Sequence, residues 1–210
     1  MKLTTIDSGS YGNCYILESY GSKIMIECGI DFNYIQKALD YDFDNFELCL
    51  ISHSHKDHCK AEKEVAQIMP IIKESFENDN WKVKAFTKGL QHDVPVTGFY
   101  IESKIEKKKV AFVTDTGVCG YTFKNADVIM LEANYNRENL TGEDYESRTI
   151  HNHLSLSKFL EVVEKSNSKH KTIIPIHMSN SRLDWKLLFS KTRELSDNVV
   201  NVFEHTEIEI

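Results

Sequence analysis

Residues 53–58 read His53-Ser54-His55-Lys56-Asp57-His58, directly after the apolar run Leu48-Cys49-Leu50-Ile51. Three imidazoles and a carboxylate within six positions supply the nitrogen and oxygen donors that zinc and related divalent metals prefer. If residues 47–52 form a strand ending at the protein surface, His53 and His55 point to one side, because strand side chains alternate. His58 falls one helical turn past His55 if a helix opens there, which puts Asp57 and His58 in position to serve a second metal. The competing reading is a polar loop that happens to be rich in histidine. The density of donors weighs against it.

Further donors stand at other predicted strand boundaries. His92 precedes a strand in Gln91-His92-Asp93-Val94-Pro95, and Asp115 follows one in Val113-Thr114-Asp115-Thr116-Gly117. His177 follows the apolar segment 173–176, where an unpaired polar group is costly and a metal partner is favourable. Each has a plain alternative: His92 as a loop residue, Asp115 as a cap of its Thr-Gly turn, Glu132 as a strand-end acid in a local ion pair. His151 is expected at the surface or a pocket rim, and His170 and His205 at the surface.

Composition agrees with one folded domain over residues 1–210, long enough to bury a sizeable core. A hydrophobic content of 41% excludes a disordered chain, and no apolar run approaches a membrane span. The five cysteines are scattered with no CxxC pair, so reduced thiols and a cytoplasmic location are expected. Cys14, Cys28 and Cys49 are expected in the core, with Cys59 outside the metal set. The net charge of −7 argues weakly against a long nucleic-acid surface. The lysines of 104–109 are expected as a solvated hairpin tip, with no aromatics interleaved.

Strands are expected at 2–6, 14–18, 23–27, 47–51 and 82–86, then at 97–101, 109–114, 128–131, 172–176, 199–203 and 207–210. Helices are expected at 31–39, 60–77, 155–165 with Ser155 as N-cap, and 183–195. In the second of these, Ala61, Val65, Ile68, Met69 and Ile72 recur at helical spacing, and Pro70 marks a kink or boundary. Strand-rich stretches alternate with helices in both halves, which fits an α/β (α+β) protein of two packed sheets with helices outside.

The 53–58 cluster resembles the signature of the metallo-β-lactamase-fold hydrolases, and further segments resemble that family in order. Asp7-Ser8-Gly9-Ser10-Tyr11-Gly12-Asn13 is similar to the first hairpin of its YycJ-like branch. Ile26-Glu27-Cys28-Gly29 resembles its strand-end motif, with Glu27 where Asp is usual. The His92 and Asp115 segments, Leu131-Glu132-Ala133-Asn134, His153-Leu154-Ser155 and Pro175-Ile176-His177-Met178-Ser179 are similar to the family's later motifs. The resemblance implies a four-layer αβ/βα sandwich of two mixed sheets flanked by helices. It implies one divalent ion on His53, His55 and His92, a second on Asp57, His58 and His177, and Asp115 bridging both, with zinc first and manganese second.

By the same resemblance, Asp57 orients or deprotonates a metal-bound hydroxide, and His153 supported by Glu132 protonates the leaving group. The RNase Z-like and YycJ-like features imply phosphodiester hydrolysis, with nucleic acid or a cyclic nucleotide as substrate. The interval between His58 and His92 is short for the family, and the long Gly-rich arm of the tRNA-processing branch is absent from the sequence. The alternatives are a carboxylic ester, thioester or lactone hydrolase, a non-catalytic metal-binding regulatory module, or a di-iron redox protein, which usually has a carboxylate at the place of His55. A homodimer is compatible with the sequence.

Overall fold

A computed structural model describes residues 1–202 and 205–210, leaving aside the side chains of 143–147. The chain opens with β1 (Lys2–Gly9), β2 (Gly12–Ser19) and β3 (Ser22–Ile26), followed by α1 (Phe32–Ala38) and β4 (Phe46–Leu50). Two short helical turns, α2 (Lys56–Cys59) and α3 (Glu62–Val65), precede β5 (Ile71–Ile72), β6 (Phe76–Glu77) and β7 (Trp81–Phe86). Then come β8 (Gly98–Ser103), β9 (Lys109–Val113), β10 (Val128–Glu132), α4 (Glu143–Asn152) and α5 (Leu156–Lys165). The last elements are β11 (Thr172–Ile176), α6 (Trp185–Leu195), β12 (Asn198–Val199) and β13 (Thr206–Glu209).

The strands form two mixed sheets, ordered β13-β1-β2-β3-β4-β5 and β12-β11-β10-β9-β8-β7-β6. Two-residue side-chain alternation gives each sheet two apolar faces. The inner faces meet in one core, where Leu17, Ile24, Ile26 and Leu50 pack among Trp81, Phe99, Phe112 and Ile174. On the outer face of the first sheet, Ile16, Met25 and Cys49 pack with Ile35 of α1 and Val65 of α3. Outside the second, Ala111, Val113, Ile129 and Ile173 pack with Phe159 and Val163 of α5 and Leu188 of α6. The order helix, sheet, sheet, helix is the expected four-layer sandwich. Ser155 caps α5, its hydroxyl accepting from the Lys158 N–H, and Asp184 caps α6 through Leu187, so α6 begins at Trp185 rather than Leu183.

Three sequence expectations need correction. The helix over 60–77 ends near Ala66: Pro70 lacks the N–H a helix needs, and Ile71–Ile72 instead pairs in parallel with β4. Ala61, Val65 and Met69 are buried as the periodicity implied, whereas Ile68 is exposed. Phe76–Glu77 then joins the other sheet beside β7. The strand over 199–203 is reduced to Asn198–Val199 against β11, and position 203 lies outside the described residues. Helix α4 was not anticipated, because 137–152 carries no apolar stripe. Lys104, Lys107 and Lys108 do fall at the turn between β8 and β9, whereas Lys109 opens β9 opposite Glu102. No helix among the described residues is long and apolar enough to cross a membrane.

Candidate metal centre

The donors gather where strands end, which is where open α/β sheets place their ligands. After β4 the chain runs through Ile51 and Ser52 to His53, then turns into α2, so His53 and His58 are buried and His55 is half-buried. The turn is held against the end of β3: the Cys28 N–H donates to the His58 carbonyl at 2.9 Å, and the Asn13 amide donates to the Asp57 carbonyl at 3.2 Å. Gly29 is required by this approach, since a Cβ there would lie 1.7 Å from the Asp57 carbonyl oxygen. Gly117 is required likewise, since its Cβ would lie 2.1 Å from the His151 carbonyl oxygen. Asp115 follows β9, Glu132 ends β10 and His177 follows β11.

All seven residues expected as ligands converge. His53, His55, His92 and Asp115 form one cluster, and Asp57, His58, Asp115 and His177 a second, each with its donor atoms within 4.8 Å of one another. Asp115 belongs to both: its Oδ2 lies 3.8 Å from His53 Nε2, and its Oδ1 lies 3.4 Å from His58 Nε2 and 3.3 Å from His177 Nε2. Asp57 Oδ2 is 3.3 Å from both His58 Nε2 and His177 Nε2. The Nε2 atoms of His53 and His58 are buried without a hydrogen-bond partner. Buried polar atoms ordinarily find partners, and unpartnered imidazole nitrogens facing carboxylates fit a divalent cation.

The opposite ring nitrogens of His53 and His92 are hydrogen-bonded, which fixes ring orientation, and those of His58 and His177 face carboxylates. His53 Nδ1 lies 2.8 Å from Ser52 Oγ, and His92 Nδ1 lies 3.1 Å from the Asn152 carbonyl oxygen. His58 Nδ1 faces Glu27 Oε2 at 3.5 Å, and His177 Nδ1 faces Glu132 Oε1 at 3.3 Å. Glu27, Asp115 and His177 have φ of 61°, 44° and 51°, the left-handed region that side chains with a Cβ rarely adopt. Such strain persists where the surroundings over-determine it, as at functional sites.

The electrostatics point the same way. Burial, then the neighbouring His58, pushes His53 down to about 2, so it stays neutral, the form that ligates metal. Burial also lowers His92, although Asp115 and Asp93 oppose it. His177 is instead pushed up to about 10: burial works against the proton, and Asp115, Asp57 and Glu132 together overcome it. His58 is raised in the same manner by Asp115 and Glu27 against its burial. A divalent cation would replace these protons as the positive partner of the buried carboxylates.

Beside the second cluster lies the pair expected to serve catalysis. Glu132 is buried, and its Oε1 lies 2.7 Å from His153 Nδ1. Its Oε2 accepts the Thr116 N–H at 3.0 Å and the Leu154 N–H at 3.1 Å. His151 is exposed beside Gln91, His170 is exposed beside Asp197, and His205 meets the Tyr34 hydroxyl, all outside the clusters. The cleft of about 260 Å³ over the clusters is lined also by Ser10, Arg148 and Arg182. The sequence did not mark these three for the site, nor Glu27 and Asp93, although Ser10, Glu27 and Asp93 each lie within a family-like segment. Asp93 Oδ1 is 3.2 Å from His92 Nε2 and 3.4 Å from His55 Nε2. Cys59 is half-buried and belongs to neither cluster.

Known proteins resemble this chain in part and in whole. Residues 4–70 match the family described as anti-Pycsar protein Apyc1. The exodeoxyribonuclease WalJ of Streptococcus pneumoniae serotype 2 is 26% identical, over 69% of this chain and 66% of its own length, so the match spans just under two thirds of that relative. Among solved structures, the metallo-β-lactamase fold protein YhfI of Bacillus subtilis superposes with a TM-score of 0.72 at 13% identity, covering 99% of each chain. The short form of human tRNase Z superposes with a TM-score of 0.65 at 17% identity, covering 100% of this chain and 99% of that one.

Proposed function

We propose that this chain, which has the metallo-β-lactamase fold, is a metal-dependent hydrolase that cleaves phosphodiesters in nucleic acid or a cyclic nucleotide. The observation that carries the proposal is Asp115 shared between two donor clusters, with the Glu132–His153 pair beside them. The names of the WalJ relative and of the tRNase Z neighbour support the substrate class. His53, His55 and His92 would hold one ion, Asp57, His58 and His177 a second, and Asp115 both. The nitrogen and carboxylate donor set, without a thiolate, favours zinc, then manganese. Ions bound there would supply Lewis acidity to a phosphoryl group and acidify a water.

The chain's own groups supply orientation and proton transfer. Asp57, half-buried, with Oδ2 hydrogen-bonded to His177 Nε2 and facing His58 Nε2, stays ionised, and its carboxylate would orient the attacking water and accept its proton. His153 lines the cleft, with Nδ1 held by Glu132, so Nε2 is the atom that gives a proton to the leaving oxygen. Glu132 is a positioning residue, fixed by two backbone N–H groups. Arg148 and Arg182 at the wall offset the acidic surroundings and favour an anionic substrate.

The test is elemental analysis of protein purified without chelator, followed by assay with added zinc or manganese. The panel holds bis(4-nitrophenyl) phosphate, 3′,5′-cyclic nucleotides, single-stranded and double-stranded DNA and RNA, and carboxylic ester, thioester and lactone controls. About two metal equivalents and metal-dependent phosphodiester cleavage are expected. Turnover of the carbonyl substrates alone, or full activity without metal, overturns the proposal.

A further inference from the structure

Away from the cleft, the second sheet leaves part of its outer face uncovered. Helices α5 and α6 pack over β9, β10 and β11, whereas Lys82 and Lys84 on β7 remain exposed. Together with the loop 121–125 this face bounds a groove of about 650 Å³. Strand alternation sends Trp81 and Val83 into the core and Lys82, Lys84 and Phe86 outward. Register places Lys82 opposite Glu102, Lys84 opposite Tyr100 and Glu102 opposite Lys109.

The groove is basic within an acidic chain. Four lysines line it, at 82, 84, 109 and 124, against one carboxylate, Glu102. Lys82 pairs with Glu77 at 3.5 Å, while the ammonium groups of Lys84, Lys109 and Lys124 have no carboxylate partner within 4 Å among the described residues; the Asp127 carboxylate nearby accepts the Lys109 backbone N–H at 2.8 Å. Aromatic rings stand between them. Phe86 lies over Gly98, where a Cβ would meet its ring at 2.4 Å, and its centroid is 4.3 Å from that of Tyr121. Tyr100 is half-buried, and its hydroxyl has no hydrogen-bond partner.

The groove also leads to the metal centre. From Phe86 the chain runs six residues to His92, and from Tyr121 it runs six back to Asp115. These segments lie side by side, with Leu90 bridged antiparallel to Cys119, Gly120 donating to the Gly89 carbonyl at 2.9 Å and Gly117 donating to the Gln91 carbonyl at 2.8 Å. Six residues span roughly 20 Å at full extension. Exposed Lys88 stands on this ribbon.

We infer that this groove binds single-stranded nucleic acid and feeds its end along the ribbon to the cleft, a proposal that rests on the phosphodiesterase reading and names the substrate class. Lysines spaced along a sheet face meet successive phosphates, and half-buried rings offer faces on which bases stack without regard to sequence. An acidic chain that keeps one lysine-rich, aromatic face has the charge complementarity that a single strand requires. Base pairs would hide the ring faces of a duplex from these side chains.

The test measures binding of fluorescein-labelled oligo(dT) and oligo(U) twelve-mers by anisotropy across a salt series. With about three phosphates neutralised, log K is expected to fall with log salt at a slope of about −2. Lys84→Gln with Lys124→Gln should weaken binding at least tenfold and make the slope shallower by about 1.4. Tyr121→Leu should weaken binding roughly tenfold with the slope unchanged. In cleavage assays the lysine variant should raise KM for the twelve-mer and leave a dinucleotide unaffected. Metal content and bis(4-nitrophenyl) phosphate turnover should match the unaltered protein in every variant. That control separates the two ideas: its absence in the unaltered protein defeats the phosphodiesterase reading, whereas its presence with unchanged oligonucleotide affinity in the variants overturns the groove. Equal competition by poly-glutamate, or preference for duplex, also overturns it.

Discussion

The cleft and the groove use the second sheet in opposite ways. The cleft takes residues at strand ends, where Asp115 and His177 are bent into the left-handed region and buried to within a few per cent of full exclusion. The groove takes residues from the middle of extended strands, where Lys82 and Lys84 stand in solvent at alternate positions. A strand end can aim one atom, because the backbone there is free to turn and is held by its neighbours. A strand face can only repeat a chemistry at a fixed spacing. A site for metal and proton transfer needs the first, and a surface for a polyanion needs the second. The cleft should therefore fail at single substitutions, and the groove should weaken by increments.

The largest effect is expected from Asp115→Ala, which removes the carboxylate common to both clusters. Metal content should fall below one equivalent, and phosphodiesterase activity, which depends on the paired ions, should be lost with it. Elemental analysis and turnover of bis(4-nitrophenyl) phosphate would check this, while oligonucleotide affinity should stay near that of the unaltered protein. Retention of both metals would mean that the clusters are independent.

Next is Gly29→Ala. The added methyl would press on the Asp57 carbonyl and displace the turn that carries Asp57 and His58. Overpacking against backbone costs about 1–3 kcal/mol. A lower Tm together with loss of the second metal is expected, with the first retained on His53, His55 and His92. Unchanged Tm and metal content would show that the turn yields more easily than its contacts imply.

His153→Ala should keep both metals and slow turnover of substrates with poor leaving groups by about 10²–10⁴-fold. The loss should shrink with a 4-nitrophenolate leaving group, which needs little protonation. Loss of metal instead would make His153 a ligand, a role its place near Asp115, Glu132 and His177 leaves open to measurement.

The difference between the two regions also explains what the sequence discloses. The cleft was legible because its densest part is local: residues 53–58 carry four donors in one turn, and the remaining donors each stand beside a recognisable strand. Two packed sheets with helices outside were legible because the central strands are buried on both faces, which puts runs of apolar residues next to amphipathic helices, while the four-layer sandwich itself was implied by the family resemblance. The groove was not legible. Its lysines lie on β7, β9 and a distant loop, and its rings on β7, β8 and that loop, so only strand register makes them neighbours. Arg148 escaped notice because α4 lacks the apolar period that announces a helix. The helix expected over 60–77 failed because apolar residues at helical spacing persist past Pro70, where β-branched Ile71 and Ile72 instead extend the first sheet.

The smallest effect in the cleft is expected from Glu27→Gln. Glu27 links two strand ends: Oε1 accepts the Ser52 N–H at 3.1 Å, and Oε2 faces His58 Nδ1 at 3.5 Å. The carboxylate favours a proton on Nδ1, which leaves the Nε2 lone pair free toward Asp57 and Asp115. Glutamine has nearly the same volume and keeps an acceptor for Ser52, so the fold should survive. Its amide can turn an N–H toward His58 Nδ1, which moves the imidazole proton to Nε2 and removes the donor that the second cluster needs. Substitution of such a partner typically weakens metal affinity about 10–100-fold. Competition with a calibrated chelator should reveal that loss at one of two sites, while His170→Ala, at an exposed ring outside both clusters, should leave both affinities unchanged. Equal affinities in Glu27→Gln would mean that packing alone orients His58, and that the charge buried at the end of β3 is neutralised by the metal-bearing turn as a whole rather than by this one ring.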